Sequence, residues 1–598
     1  MPSSPFLSAT DAVGLEISIS GANLDDSFQI LHIETDISVN RVGTARIHIA
    51  LPKGAGSDKT FTSSDLDKFA PGTDVDIKIG SLNNKTSVFK GLITSTGIRN
   101  LTGHLNELIL KCNEKSILLT LNRNSNNFDK KKDSEVVSQL VSDCGLTADV
   151  TATTTENLQL VQFQSTNWDF IVSRADANGM LVYMDNEKVC FKSPETTGDS
   201  ALKIDFESDV FNFDLQLEGR YQLKDMSTSS WDIAKQSMES ATGTEPSLPD
   251  QGNLDGKTMA GKMGFPSAKR SAGAPLTKTE ITDWVKAQLL RSRYSAIQGN
   301  ITFFGNNTPC VNTLIELTGF GSRFNNNGLI TGVRHQVKDG LWLTTVSLGL
   351  NPKWHFEQYP VSAPAASGLL PAVYGLQTGT VLKVSDDPDG HTRVQVSVPA
   401  ITTDGTGLWA RMAGFYATSG KGALFLPEVN DEVVLGFMND DPRYPVILGS
   451  LYSSKNAAPY TPETTNKIKA IVTKSDIRIE MNDEDKVVTV KTPGGNQFIL
   501  SDKEKSVTLK DQNGNKIEMS ASGITIDSSK DIIIKSGTKI SLEGTSGISA
   551  KASGGDVGLE GLNINAKASV AFAAQGSATA ELKSTGSTTV KGAVVMIN

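Results

Sequence analysis

The side chains best suited to catalysis or metal binding are few in this chain and widely separated. No histidine belongs to an HExxH motif, and none lies at zinc-ligand spacing from a cysteine. An oxidised scaffold of this length would normally contain more cysteines, so we expect reduced thiols. The sequence predicts no metal site, no cofactor and no catalytic residue. The residues concerned are His32, His48, His104, His335, His355, His391, Cys112, Cys144, Cys190 and Cys310.

Two short segments resemble ligand-binding loops without matching them. GFYATSGKGA resembles a phosphate loop, but five residues separate Gly414 from Gly420, and Gly422 stands where a magnesium-binding Ser or Thr is needed. DDPDGHTRV clusters acids as a calcium loop does, yet it lacks the Glu that would complete such a site. We interpret the first as a loop of a β-barrel and the second as a hairpin turn. Because the C-terminal repeats also contain few acids, paired catalytic carboxylates are not expected there.

Length and charge restrict the class of protein. The chain has 598 residues, of which 38% are hydrophobic, so it can bury several cores. The net charge is -9 and both signs are interspersed. Since no block of Lys and Arg is present, nucleic acid is not an expected partner.

The N-terminal residues MPSSPFLSATDAVGLEIS have neither a basic start nor a long apolar run. No segment approaches the roughly 18 to 20 apolar residues of a membrane span. We therefore expect a soluble protein that is made in the cytosol without a signal peptide, unless a dedicated machine exports it.

The first 365 residues are predicted to mix strands with a few helices. ARIHIALP and DVDIKIG alternate apolar and polar residues as strands do. NWDFIVSRADANG predicts a helix that ends at Gly179, and Thr277 with Glu280 predicts a capping box at the start of a second helix that extends to Gly299. The Gly-rich and Ser-rich segment 240–274 is expected to be an exposed excursion.

A linker and a small all-β region follow. VSAPAASGLLPA marks the boundary, and about five short strands fit into the next eighty residues. TRVQVSVP alternates strictly, and EVVLGFMNDDPRYPVILGSLY predicts two strands joined by a Pro-containing turn. These features favour a small closed barrel such as an OB-fold.

The C-terminal hundred residues repeat every eight positions. Apolar pairs two residues apart begin at Ile524 and recur at each step, with Ser, Thr, Lys, Asp and Gly between them. The octads at Asp556 and Thr588 fit this phase poorly. The side chains predicted to form the core of the repeat are Ile524, Ile526, Ile532, Ile534, Ile540, Leu542, Ile548, Ile564 and Phe572.

One such chain cannot bury its own apolar stripe. Repeats become stable when neighbours cover each other's apolar faces, so we expect three copies wound around one axis with the apolar pairs inside. At roughly 4.8 Å per layer the octads would form a needle of about 45 Å. A β-solenoid or the stalk of an adhesin would show a similar period, and the repeat alone does not exclude either.

Three separate segments resemble one protein family. The first is the motif around Trp168, Asp169, Phe170, Arg174 and Gly179, and the second is the segment GFGSRFNNNGLITGVRHQVKDGLWLTTVSLG. The third consists of the runs from Pro427 to Phe437 and from Asp441 to Gly449. The three segments occur along the chain in the order found in that family. They resemble the VgrG spikes of type VI secretion and the equivalent hub and spike proteins of contractile phage tails and phage-tail-like particles.

The resemblance implies a homotrimer that is mainly β with some α. Its expected parts are a hub with tail-tube-like barrels (1–365), a linker (366–372), an OB-fold (373–452), a second linker with the start of the needle (453–495) and an intertwined triple-stranded β-helix (496–598). No room is left for the lysozyme or effector domain that some relatives carry.

Partners and function are likewise implied by the resemblance. The hub would bind the inner tail-tube protein, other baseplate components would surround the spike, and effector cargo would travel with it. The tip would receive a PAAR-like protein and contact the target membrane transiently. The expected tip residues are Val594, Val595, Met596, Ile597 and Asn598. The implied function is puncture of a target membrane on sheath contraction, and the alternative is a trimeric receptor-binding fibre or adhesin. The sequence leaves open whether the system is type VI, extracellular or thylakoid-anchored.

Overall fold

Two compact units make up the chain, Met1–Leu451 and Tyr452–Asn598. A computed structural model describes residues 13–51, 67–100, 106–401 and 406–597. Strands far outnumber helices in these ranges, so the predicted fold class, mainly β with some α, is confirmed. None of the helices in the described ranges is both long enough and apolar enough to cross a bilayer.

Seven strands form the first half of a large sheet in the hub. In the strand predicted from ARIHIALP, Ile47 and Ile49 are fully buried while Arg46 is exposed. DVDIKIG also forms a strand, so both predictions are confirmed. The strands are β1 (Val13–Ile19), β2 (Ala22–Asn23), β3 (Ile30–Ser38), β4 (Thr44–Leu51), β5 (Asp74–Ser81), β6 (Asn84–Arg99) and β7 (Asn106–Asn113).

Two helices and five strands follow and enclose a core of their own. The Thr166 side chain accepts a hydrogen bond from the Asp169 N–H at the start of the helix predicted from NWDFIVSRADANG, and Gly179, with φ 67°, ends it. That helix prediction is confirmed. The elements are β8 (Arg123–Lys132), α1 (Asp133–Asp143), β9 (Thr147–Val150), β10 (Glu156–Thr166), α2 (Asn167–Asn178), β11 (Leu181–Asp185) and β12 (Lys188–Lys192).

The rest of the hub contains four helices and nine strands. Their bounds are β13 (Leu202–Asp205), α3 (Phe206–Asp209), β14 (Val210–Leu217), β15 (Met226–Asp232), β16 (Ser237–Thr242), α4 (Gly256–Lys262), β17 (Ala268–Ser271), α5 (Lys278–Tyr294), β18 (Ile297–Phe304), β19 (Leu314–Thr318), β20 (Asn326–Lys338), β21 (Leu341–Leu348) and α6 (His355–Gln358). Short 3-10 helices occupy Asp67–Phe69, Lys115–Thr120, Ala365–Gly368 and Met438–Asp440.

Two sequence predictions in this region need correction. Helix α5 starts with the predicted capping box of Thr277 and Glu280, but it ends at Tyr294 rather than Gly299 because β18 pairs with β14 and β21 from Ile297 onward. The segment 240–274 is not simply an exposed excursion. It contains α4, and its strand β17 pairs in parallel with β15.

Thirteen strands join in one sheet that packs on two separate cores. The order is β14-β18-β21-β20-β3-β4-β7-β6-β5-β1-β2, and β13 is attached through β19 to β20. Strand β3 joins the two halves through its antiparallel pairing with β20. One core lies against β1 to β7 and the other against β13, β14 and β18 to β21. Where the resemblance implied two barrels, the sheet is continuous and its two halves have their own cores.

Glu114 is a buried carboxyl group at the end of β7, with 4% of its surface exposed. Its Oε2 accepts a hydrogen bond from the Gly43 N–H at 2.8 Å, and a Cβ at position 43 would lie 2.5 Å from that oxygen. Burial raises the pKa of Glu114 to about 8. The folded hub therefore holds this carboxyl group in its neutral form at pH 7.

We expect Glu114→Gln to raise the melting temperature of the hub at about pH 8 and to change it little at about pH 5. Between the ordinary pKa of 4.5 and a folded pKa of about 8, the folded state binds a proton that the unfolded state lacks, so stability falls as pH rises. Gln has no carboxyl proton to lose, and its side-chain oxygen can still accept the hydrogen bond from the Gly43 N–H. Calorimetry at the two pH values tests this, and an equal shift at both would contradict it.

The predicted five-stranded barrel is confirmed. Val394, Val396 and Val398 are fully buried and alternate with more exposed residues, as TRVQVSVP predicted. The barrel closes in the order β22-β23-β24-β28-β27, and β25 and β26 form a separate hairpin. The strands are β22 (Gln377–Lys383), β23 (Val394–Ser397), β24 (Leu408–Met412), β25 (Ala417–Thr418), β26 (Lys421–Gly422), β27 (Glu432–Phe437) and β28 (Pro445–Ser450).

The second unit begins with an antiparallel meander of seven strands, each pairing with the next. Its strands are β29 (Ile468–Val472), β30 (Arg478–Asn482), β31 (Val487–Lys491), β32 (Gln497–Ser501), β33 (Ser506–Lys510), β34 (Lys516–Ser520) and β35 (Gly523–Asp527). The expected needle start at residue 496 falls inside this meander, in the turn before β32. From 528 to 597 the described single chain has no helix or strand. The domain boundaries drawn from the sequence stay predictions.

A candidate trimerisation surface

Two rows of apolar side chains, here called the apolar rows, run across one face of the β29–β35 sheet. Directly opposed residues of neighbouring strands share a face, and this pairing continues strand by strand. Residues two apart in a strand also share a face, which adds the second row. The first row is Ile471, Ile479, Val490, Phe498, Leu509, Ile517 and Ile526; the second is Met481, Val488, Leu500, Val507, Met519 and Ile524.

The opposite face of the same sheet is more polar, although Ile468, Val472, Val487 and Ile499 also lie on it. One of its rows consists of the directly opposed residues Arg478, Lys491, Gln497, Lys510 and Lys516. Alternation along the strands therefore separates an apolar face from a mixed face that carries a row of charged residues. Such a sheet is typical of one that packs on a single side.

In the single chain the apolar face is the more exposed one. Phe498 is 41% exposed and Leu509 53% exposed, whereas their strand neighbours Gln497 and Thr508 are half-buried. A contiguous apolar surface of this extent marks a site that another protein surface covers. Covering a Leu, Ile or Phe side chain contributes about 1.5 to 3 kcal/mol.

A groove of about 620 Å³ follows the first row and leads toward the octads. Its apolar lining includes Phe498, Leu509, Ile517, Ile526 and Ile532. Of the predicted needle core, the structure thus places Ile524 and Ile526 in the apolar rows and Ile532 in the same groove. These three residues lie together at the end of the meander.

The remaining predicted core residues are exposed side chains of the irregular segment. Every residue from Ser529 to Ile597 is exposed in the single chain. The exposed fractions are 66% for Ile534, 48% for Ile540, 75% for Leu542, 63% for Ile548, 58% for Ile564 and 73% for Phe572. Their packing in a trimer core stays a prediction.

Four of the five predicted tip residues are also exposed. Val594, Val595, Met596 and Ile597 are apolar and have no cover in the single chain. Asn598 lies outside the described residues. A tip partner for these side chains stays a prediction.

Sequence reasoning missed the part of the apolar rows that precedes Ile524. It assigned 453–495 to a linker and the needle start, although four strands already alternate there and just beyond. The signal was present in IRIEM, VVTV, QFIL and SVTL, where apolar residues occupy every second position.

The hub motif has packing and capping roles. Trp168 and Phe170 belong to the core around α1 and α2, and Gly179 ends α2. The Asp169 carboxylate lies 2.8 Å from His355 Nε2, and this contact joins α6 to α2. Arg174 Nη2 donates to Asp133 Oδ2 at 2.9 Å and joins α2 to α1.

The two loop interpretations are confirmed. DDPDGHTRV forms the turn between β22 and β23, where the Asp387 carboxylate accepts bonds from the backbone N–H groups of His391 and Arg393 and from the Arg393 guanidinium. These bonds, above all those from the Arg393 side chain, hold the pKa of Asp387 well below its usual range. GFYATSGKGA contains the β25–β26 hairpin beside the barrel.

A metal site requires several suitable side chains that lie close together in the structure. The described ranges contain no cluster of three or more His, Cys, Asp or Glu side chains able to hold a metal ion. The four cysteines are free thiols, as expected from the sequence.

Three protein families match consecutive parts of the chain and together include most of its residues. The family described as the Alg8 N-terminal domain matches residues 9–339, more than half of the chain. The type VI secretion system/phage-baseplate injector OB domain matches 377–452, which includes the whole barrel. The phage baseplate V C-terminal trimerisation domain matches 487–549, which includes β31 to β35 and the first octads.

Individual relatives match over shorter ranges. The type VI secretion system spike protein VgrG5 of Pseudomonas aeruginosa is 33% identical over 116 residues, covering 18% of this chain and 15% of that protein. The actin cross-linking toxin VgrG1 of Vibrio cholerae is 33% identical over 84 residues, covering 13% of this chain and 8% of the toxin. The chain thus matches less than a sixth of the length of either relative.

Among solved structures, the 43 kDa tail protein of prophage MuSo2 from Shewanella oneidensis aligns with a TM-score of 0.44 at 12% identity, covering 57% of this chain and 99% of that protein. The family matches are the more extensive finding, since three of them follow one another along the chain. This chain belongs to the Alg8 N-terminal domain family, and the injector OB domain and baseplate trimerisation domain that follow make it a VgrG-like spike protein.

Proposed function

We propose that this protein is the homotrimeric central spike of a contractile injection system. In this role it joins the inner tube to the baseplate and punctures the target membrane when the sheath contracts, and effectors are delivered along with it. The observation that carries the proposal is the uncovered apolar surface of the second unit. All residues of the apolar rows except the half-buried Val488 and Val507, and every residue from Ser529 to Ile597, are exposed in a single chain.

In a trimer, two further copies of this chain would cover this surface. The matched trimerisation domain spans most of the apolar rows and the first octads. Three apolar faces turned toward one axis would bury the rows and leave the Lys-rich and Arg-rich face in water. The octads would then find hydrogen-bonding neighbours in the other copies, which a strand requires.

The other partners of the proposed spike follow from its parts. The hub would bind the inner tail-tube protein, and the exposed apolar residues Val594 to Ile597 would bind a PAAR-like tip protein. Baseplate proteins and effector cargo complete the assembly, and contact with the target membrane is transient. The protein would act in the baseplate of a contractile particle.

We propose no enzymatic activity for this chain. VgrG5 is named as a spike protein, and the actin cross-linking activity printed in the name of VgrG1 belongs to a toxin of which only 8% is matched. The hub motif residues are occupied in packing, capping and ion pairs. Mechanical transmission of force requires a stiff needle rather than a catalytic cleft.

The proposal predicts that the second unit is needed for assembly. Full-length chain should be a trimer by light scattering, whereas residues 1–451 should be a folded monomer, because the first unit has its own cores and lacks the apolar rows. The full-length trimer should also retain purified tail-tube protein in a pull-down. A stable full-length monomer would overturn the proposal, and a trimer that ignores tube protein would favour a receptor-binding fibre or adhesin.

A further inference from the structure

Strands β3 and β20 pair where the two halves of the hub sheet meet, and this pairing is here called the hub joint. A row of three polar side chains crosses it, here called the joint row (Thr35, His335 and Thr344). Thr35 of β3 and Thr344 of β21 lie directly opposite His335 of β20, so the three side chains share one face of the sheet. Their exposed fractions are 0% for Thr35, 4% for His335 and 0% for Thr344. The joint row is therefore buried among the packed side chains of the hub.

His335 lies at the boundary between the two cores of the hub. Val333, two residues earlier on the same face, belongs to the core of the second half, and Val337, two residues later, packs against the core of the first half. Trp342, which lies opposite Val337, also belongs to the first core. The joint row thus places polar groups at the point where the two apolar cores meet.

The hydrogen bonds of the joint row fix which ring nitrogen of neutral His335 carries the proton. Thr344 Oγ1 donates to the Asn306 carbonyl oxygen at 3.0 Å and accepts from the Asn306 N–H at 3.0 Å. A hydroxyl has one hydrogen to donate, so His335 Nδ1 is the donor in its 3.1 Å contact with Thr344 Oγ1. The other ring nitrogen, Nε2, is then the one that takes up a proton in acid.

A proton on Nε2 would place an uncompensated cation in the joint row. Burial lowers the pKa of His335 to about 4, because the charged ring loses its hydration. The nearby polar atoms that make no hydrogen bond within the described residues, Thr35 Oγ1 and Trp342 Nε1, belong to uncharged groups. The titratable and basic residues of the neighbouring strands alternate with the joint row and lie on the other face of the sheet; they are His32, Glu34, Asp36, Arg46, His48, Arg334 and Lys338.

Opening of the hub joint would let the ring regain water. In water the imidazole titrates at its ordinary pKa of 6.5, so between pH 6.5 and about 4 the open joint binds a proton that the closed joint lacks. Above pH 6.5 the closed form is fully favoured, and each pH unit below that value favours the open form about tenfold. Each half of the hub has its own core, so neither half depends on the joint row for its apolar packing.

We propose that acidification opens the hub along the joint row: His335 takes up a proton, β3 and β20 separate, and each half of the hub keeps its own core. The joint row is in this view an acid-sensitive element of the hub. The inference concerns the hub alone and does not depend on trimer assembly or on the proposed function.

Hydrogen exchange of the full-length protein, followed by mass spectrometry at pH 7 and pH 5, tests the opening. After correction for the intrinsic exchange rate at each pH, the protection of amides in β3 and β20 should be about 20-fold lower at pH 5. Strands β5 and β18 serve as the reference, because Ile77 and Ile79 lie in the first core and Ile301 and Phe303 lie in the second. The protection of these reference strands should change little.

His335→Phe and His335→Gln isolate the contribution of the histidine, since neither new side chain titrates and Thr344 keeps its two bonds to Asn306. Both variants should lack the loss of protection at pH 5. His32→Gln is the matched control and should retain the loss. The pKa of His32 is also lowered, by burial and by His48, but its side chain lies on the other face of β3. Circular dichroism and light scattering at pH 7 establish that each variant has the fold and assembly state of the parent protein.

Three results would overturn the proposal. Unchanged protection of β3 and β20 at pH 5 would show that the joint stays closed, and an equal loss in β5 and β18 would show that the whole hub loosens. The same loss in both His335 variants would assign the effect to other groups. The comparison of strands within the parent protein does not depend on the variants, and none of these results bears on the proposed spike.

Discussion

Phe498→Asp is expected to abolish the trimer, whereas Gln497→Asp leaves it intact. Phe498 lies in the first apolar row, directly opposite Val490 and Leu509. If that row faces the trimer axis, each substituted copy buries an unpaired carboxylate. The cost is roughly 3 to 5 kcal/mol per copy and applies three times. Light scattering at micromolar concentration should therefore detect monomers.

Gln497 provides a matched control one residue away on the other face of the sheet. It lies opposite Lys491 and Lys510, so an Asp there gains two cationic neighbours. We expect a change within about half a kcal/mol. Equal loss of the trimer in both variants would mean that the apolar rows do not face the other copies.

The second large effect is expected in the octads. Ile540→Asp should fray the needle, lower the melting temperature of the trimer strongly and abolish puncture. Lys539→Asp should do little. If the phase that starts at Ile524 is right, Ile540 points inward and Lys539 points to solvent, because successive residues of a strand face opposite sides. A buried carboxylate in a dry interior costs several kcal/mol per copy.

Two measurements separate assembly from function for this pair. Trimer melting reports the stability of the needle, and delivery of cargo or killing of target cells by assembled particles reports puncture. Both residues are exposed in the single chain, so a difference between the variants must come from contacts made in the trimer. Greater damage from Lys539→Asp would show that the phase of the octads is shifted.

Local sequence patterns were sufficient where local forces decide the structure. The helix of NWDFIVSRADANG was predictable because Thr166 caps its start and Gly179 can adopt the left-handed conformation at its end. The barrel was predictable because Val394, Val396 and Val398 alternate with polar residues and must turn to one side. The helix caps lie within a few residues along the chain, and the alternation of the barrel strand is a local pattern, although the three valines pack against Val433, Leu435 and Ile447 of later strands.

The end of α5 and the segment 240–274 required the tertiary structure. Nothing after Tyr294 forbids another helical turn, but strand β18 is held between β14 and β21, which belong to distant parts of the chain. In the same way β17 becomes a strand only because β15 offers it an edge. Such pairings depend on long-range packing, which overrides local propensity.

The sequence by itself determined that the C-terminal part has an apolar side and a polar side with a repeat of eight residues, because side-chain polarity and its period are properties of the chain. Only the tertiary structure decided that the apolar residues from Ile471 to Ile526 align as two continuous rows, one across seven strands and one across six. That alignment depends on strand register, which the turns between the strands set, and a slip of one residue would move each apolar side chain to the opposite face.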